Sequence, residues 1–96
     1  SATLRLFNCR SAGSLVSMGG GRVRWDSNTY PTVRRILASG CTFAGPEEGR
    51  APDFLFTDPN GDVQLTLCGN LQERPVRVSA PKSSKFSVRG DSEWKQ

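Results

Sequence analysis

The sequence predicts a mostly β, α+β domain: about six short antiparallel strands and one short helix over residues 30–39. Two features point to strands. Short runs alternate apolar and polar residues, and clusters of Gly, Pro, Asn and Asp separate them. A third feature points to the helix, because SNTYPTVRRILASG breaks the alternation. An all-β sandwich is the alternative.

The chain opens with TLRLFNCR, where Leu4 and Leu6 alternate with Arg5 and Phe7, as in a half-buried strand. SLVSM is a second short strand, ended by Gly19-Gly20-Gly21, which turn at no steric cost. RVRW then places Val23 and Trp25 on one side and Arg22 and Arg24 on the other, so two successive hairpins are expected.

In the helical stretch, Asn28 or Thr29 can cap, Pro31 suits the first turn and Gly40 suits a left-handed stop. Tyr30, Val33, Ile36 and Leu37 share one helical face, with Arg34 and Arg35 turned outward. The loop FAGPEEGRAP follows, long for a connection and therefore a place where binding residues gather. In DFLFTDPNGDVQLTLC, two alternating arms flank Asp58-Pro59-Asn60-Gly61, which reads as a hairpin. RPVRVSA is one more strand, and Pro75 favours an edge position for it. Residues 1–79 thus form one domain, and residues 80–96 read as a flexible basic tail. No internal repeat stands out.

The net charge of +4 is unevenly spread: residues 1–46 carry six arginines against Asp26 alone, whereas residues 47–79 carry three arginines against six acids. Ten of the thirteen basic residues are Arg, whose planar guanidinium pairs with carboxylates and stacks on aromatics. A partner protein with an acidic surface is therefore expected to dock on Arg5, Arg22, Arg24, Arg34, Arg35 and Arg77. A basic nucleic-acid-binding domain is the alternative, with Trp25 or Tyr30 available for stacking. Trp25 lies opposite the arginines of its own strand, which favours a packing role.

Catalysis has little support. The chain has no His, the commonest general acid–base, and Glu47, Glu48 and Asp53 lie in a loop with no activating partner in sequence. No cofactor or metal is implied, since no Cys-x-x-Cys pair supplies ligands. No apolar run approaches the roughly 18 residues of a membrane helix. The chain opens at Ser1, as a processed form would, and is read as a monomer. Near its end, Arg89-Gly90-Asp91 matches a cell-adhesion tripeptide, but no cysteine or turn constrains it, so adhesion is a further alternative.

Three cysteines allow three single bridges, each leaving one thiol over. A small polar domain gains most from a disulfide in an oxidising compartment, so secretion is expected, with a cytoplasmic protein of buried thiols as the alternative. A cysteine ending the first strand (LRLFNC), another closing a later one (VQLTLC) and about six short strands resemble the small secreted MAX-type effectors of plant-pathogenic fungi. That resemblance implies a β-sandwich with a bridge from the first strand to a later one, and virulence through non-catalytic recognition of a host protein. Cys9–Cys68 is the expected pair, because both cysteines sit at strand ends and would close a long loop; Cys9–Cys41 is the second choice. A bridge of that span stabilises by about 4 kcal/mol in the chain-entropy picture.

Overall fold

The computed structural model describes residues 3–31, 33–57, 62–82 and 85–96. Its strands are β1 (Thr3–Phe7), β2 (Arg10–Ser11), β3 (Val16–Gly19), β4 (Arg22–Trp25), β5 (Asn28–Pro31), β6 (Arg35–Ser39) and β7 (Thr42–Phe43). They continue with β8 (Phe54–Phe56), β9 (Val63–Cys68), β10 (Leu71–Gln72), β11 (Val76–Ser79), β12 (Phe86–Gly90) and β13 (Trp94–Lys95). There is no helix among the described residues.

Nearly all pairing is parallel. One sheet runs β1-β6-β9-β12, a second β10-β7-β2, and a third β13-β11-β8-β3-β4-β5. In chain order the path visits the first sheet, then the second, then the third, and repeats. The fold is therefore a short parallel β-coil with three faces, numbered face 1, face 2 and face 3 in that order. Each circuit lays its strands beside those of the last. Thr3 stands beside Arg35, Arg35 beside Gln64, and Gln64 beside Ser87.

Alternation decides what faces inward. On face 1, Leu6, Ala38 and Leu67 stack in one inner column, and Ile36 and Leu65 in another, all buried. On face 3, Val16, Phe54 and Val78 do the same, with Met18 beside Phe56. Phe43 from face 2 meets Phe54 with ring centroids 6.2 Å apart.

The corner between faces 1 and 2 repeats on three circuits. Asn8, Gly40 and Gly69 adopt φ of 58°, 65° and 64°, the left-handed conformation that Gly and Asn enter at least cost. Backbone bonds then step from coil to coil: Thr42 N donates to Cys9 O and Leu71 N to Cys41 O, both at 2.8 Å.

Several expectations are overturned. The helix over 30–39 is absent: Asn28–Pro31 and Arg35–Ser39 are strands. Ile36 and Ala38 point inward with Leu37 between them, and pairing with β1 and β9 satisfies the β6 backbone from both sides. That tertiary pairing overrides a helical spacing that the isolated stretch also fits. The fold is mostly β as expected, but it is not an α+β domain of antiparallel strands, because its faces are linked by parallel pairing between coils.

The hairpin expected across 54–68 is also absent. Its arms alternate as anticipated, but β8 pairs with β3 and β11 while β9 pairs with β6 and β12. Asp58–Gly61 lies outside the described residues. Of the two hairpins expected at the start, β3–β4 is present, turned by Gly20 and Gly21 at φ 58° and 74°. The opening strand instead pairs in parallel with β6. A hairpin that the sequence reading missed joins β4 to β5 through Asp26 and Ser27.

β11 is no edge strand, since it lies between β8 and β13, with Pro75 just ahead of it. The stretch read as a tail carries β12 and β13 on a fourth circuit. Phe86 anchors it, with its ring 6.1 Å from Phe56 and 6.0 Å from Trp94.

Candidate binding site

The six arginines expected to bind a partner do not share one surface. Arg5 and Arg35 lie exposed and outward on face 1, and Arg34 is exposed just ahead of β6. Arg89 stands in the same outer row as Arg5, beside Thr66. Arg77 is half-buried on face 3, where its Nη1 donates to Glu47 O at 3.4 Å. Glu47 also pairs with Lys95, whose hydrogen bond and charge lower the carboxyl pKa from its ordinary value.

Arg22 and Arg24 form the separate case. They occupy adjacent outward positions on β4, while Val23 between them is fully buried. Cross-strand rows place Ser17 and Thr29 on either side of Arg24, and Gly19 and Pro31 on either side of Arg22. Ser17, Gly19, Arg22, Arg24, Thr29 and Thr57 border an open depression of about 420 Å³ on the outer side of face 3. Gly19 contributes no side chain to it, and Thr57 Oγ1 is tied down by a 3.0 Å bond to Met18 O. Among the described residues neither guanidinium meets a carboxylate. Trp25 points to the opposite side of β4, half-buried against the core with its ring 6.4 Å from Tyr30.

The buried polar cluster has a different character. Asp53, fully buried, accepts two bonds from the Arg74 guanidinium at 2.7 Å, one from the Ser11 hydroxyl at 2.5 Å and one from Arg77 N at 2.9 Å. Arg74 Nε also donates to Ala44 O at 3.1 Å. Burial opposes the Asp53 charge, but these donors outweigh it and hold the carboxyl below its ordinary pKa. The carboxylate is thus saturated by its own protein. In the sequence Asp53 is only a loop acid, and nothing in the spacing of Ser11, Asp53 and Arg74 announces that they meet.

The chain matches no known protein family, no curated protein and no solved structure. A functional reading therefore rests on its own geometry.

The three cysteines are free. Cys68 lies in the outer column of Phe7 and Ser39, two coils from β1. With strands about 4.8 Å apart, Cys9 and Cys68 are separated by well over the roughly 7 Å that a bridge can span. Cys41 is the neighbour of Cys9, on the next coil at the same corner, and its thiol leans on Leu6 O at 3.5 Å.

Arg89-Gly90-Asp91 is built into the coil. Gly90 follows Arg89 at the end of β12 with φ 109°, and a Cβ there would collide with the Leu67 carbonyl. Asp91 Oδ1 accepts a 3.0 Å bond from Gly69 N, and Ser92 Oγ accepts one of 3.1 Å from Asn70 Nδ2. The tripeptide therefore has a structural role that its likeness to an adhesion motif does not suggest. Among the described residues no three His, Cys, Asp or Glu side chains gather as a metal site.

Proposed function

We propose that the protein is a non-catalytic binding module that docks an acidic partner protein on the outer side of face 3. One observation carries this reading: Arg22 and Arg24 stand side by side over an open depression with no carboxylate among the described residues to neutralise them. Two exposed guanidinium groups on a rigid strand repel each other unless an anion joins them, so an acidic ligand gains more there than at a scattered arginine. The β4 backbone is held on both sides, by β3 and by β5, which keeps the pair in register. A non-catalytic role accords with Asp53, whose lone pairs are engaged by four donors from its own chain.

The acidic-partner reading is independent of compartment, and the coil lends no support to the sandwich and bridge on which the effector resemblance rested. Nucleic acid is the less favoured ligand, because the aromatic residues nearest the arginines, Trp25 and Tyr30, turn away from them.

The test is retention on immobilised polyglutamate at about 0.15 M salt, where screening already suppresses contacts beyond roughly 8 Å. Retention should drop in the Arg22→Gln/Arg24→Gln double variant and stay near normal in Arg5→Gln/Arg35→Gln. Equal retention of all three proteins would refute the assignment.

A further inference from the structure

We propose that the ligand of this face is an extended peptide whose carboxylates occur at alternate positions, Glu-x-Glu, lying along β4; this rests on the binding reading above. Spacing is the reason. Arg22 and Arg24 are two residues apart on one strand, so their Cα atoms are separated by about 6.6–6.8 Å and their side chains leave the same side. A peptide in extended conformation repeats its side chains on one side at that same interval. Acids at i and i+2 therefore meet both guanidinium groups together, whereas acids at i and i+1 point to opposite sides and only one can engage.

The surroundings suit such a strand. The two cross-strand rows differ: Arg24 is flanked by the hydroxyls of Ser17 and Thr29, Arg22 by Gly19 and Pro31. The hydroxyl row can supply further donors to a carboxylate on Arg24. The glycine row leaves room for the peptide backbone to approach beside Arg22. β5 is the last strand of the sheet on this side, so among the described residues no strand of face 3 lies beyond Thr29 and Pro31 to obstruct a long ligand. A phosphate chain could present charges at a comparable interval, but its bases would want aromatic partners. Trp25 and Tyr30 are on the other side of the sheet.

Two labelled peptides of equal composition and charge separate the possibilities: SSESESS, with its two acids at alternate positions, and SSEESSS, with the same two acids adjacent. Fluorescence anisotropy with the full chain at about 0.15 M salt reads both affinities. The alternating peptide should bind about tenfold more tightly, and Arg24→Gln should remove that preference. Equal binding of the two peptides, with both lost in Arg22→Gln/Arg24→Gln, would overturn the alternate spacing and leave the basic docking face standing. No effect of the double variant on either peptide would overturn both. Tighter binding of a sulfated oligosaccharide or a single-stranded oligonucleotide through the same arginines would overturn the peptide assignment. Each variant is compared at matched secondary structure by circular dichroism, which exposed side chains on β4 should leave unchanged.

Discussion

Arg74 holds Asp53 with both prongs of its guanidinium: Nη1 donates to Oδ2 and Nη2 to Oδ1, each at 2.7 Å, and both residues are buried. The pair ties the third coil to the second, and Ser11 joins it from the first. Removing one partner leaves the other charge buried and unpaired, which costs about 3–5 kcal/mol. Asp53→Ala and Arg74→Ala should each lower the urea midpoint by that equivalent. Asp53→Leu with Arg74→Met should lose less than either single change, since no lone charge remains. A double variant as unstable as the worse single one would contradict this account.

The same pair predicts an acid limb of stability. The folded pKa of Asp53 lies below its ordinary value of about 3.9, so over that interval the unfolded chain binds the extra proton. Stability from this group is complete above about pH 4–5 and is lost as pH falls through the lowered folded pKa. Thermal melts between about pH 2 and 6 should show the loss, and Asp53→Asn should flatten it. A melting curve with the same acid limb in that variant would assign the effect to other carboxylates.

Substitution at the tripeptide should be felt as stability. Gly90→Ala forces a Cβ against the Leu67 carbonyl at a positive φ, a strain of about 1–3 kcal/mol or more. Asp91→Ala removes a cap on Gly69 N and should cost about 0.5–1.5 kcal/mol. Denaturant titration of the two variants checks both figures. If neither shifts the midpoint, the strand end is not an anchor of the fourth circuit.

Thiol labelling should follow position in the coil. Cys41 is fully buried, and Cys9 is half-buried, with burial and then the neighbouring Cys41 thiol pushing its pKa up. Cys68 lies at an outer position of face 1. At neutral pH an alkylating reagent should modify Cys68 first, Cys9 more slowly and Cys41 only on unfolding, as read by mass spectrometry of timed samples. Early modification of Cys41 would be incompatible with this packing.

Part of the coil is written in the chain without being conspicuous there. LRLFNCR, ILASGCT and LTLCGNL align once the register is known, each with two inner apolar residues and then Asn or Gly at the left-handed corner. VRGDS closes the series with Gly90 in the second inner position. Corresponding positions advance by 32, 29 and 23 residues, from Thr3 to Arg35, Gln64 and Ser87. The β4–β5 hairpin lengthens the first circuit and the loop after Phe43 the second, so no constant period exists to be detected.

Local sequence was sufficient for the alternation of Phe54 and Phe56, of Val63, Leu65 and Leu67, and for the turn at Gly20-Gly21, because neighbouring residues settle side-chain direction and turn conformation. It also placed Arg22 and Arg24 opposite Val23 and Trp25, so half of the candidate site could be read directly. Strand partners could not be read that way. On face 1 parallel pairing joins segments more than twenty residues apart, and alternation looks the same whether the neighbour is a hairpin arm or the next coil. Tertiary packing alone decided that residues 35–39 extend rather than coil, that Ser11, Asp53 and Arg74 meet, and that Arg5 and Arg35 part company with Arg22 and Arg24. Each of those outcomes depends on backbone hydrogen bonds and burial supplied by distant strands, which no local stretch contains.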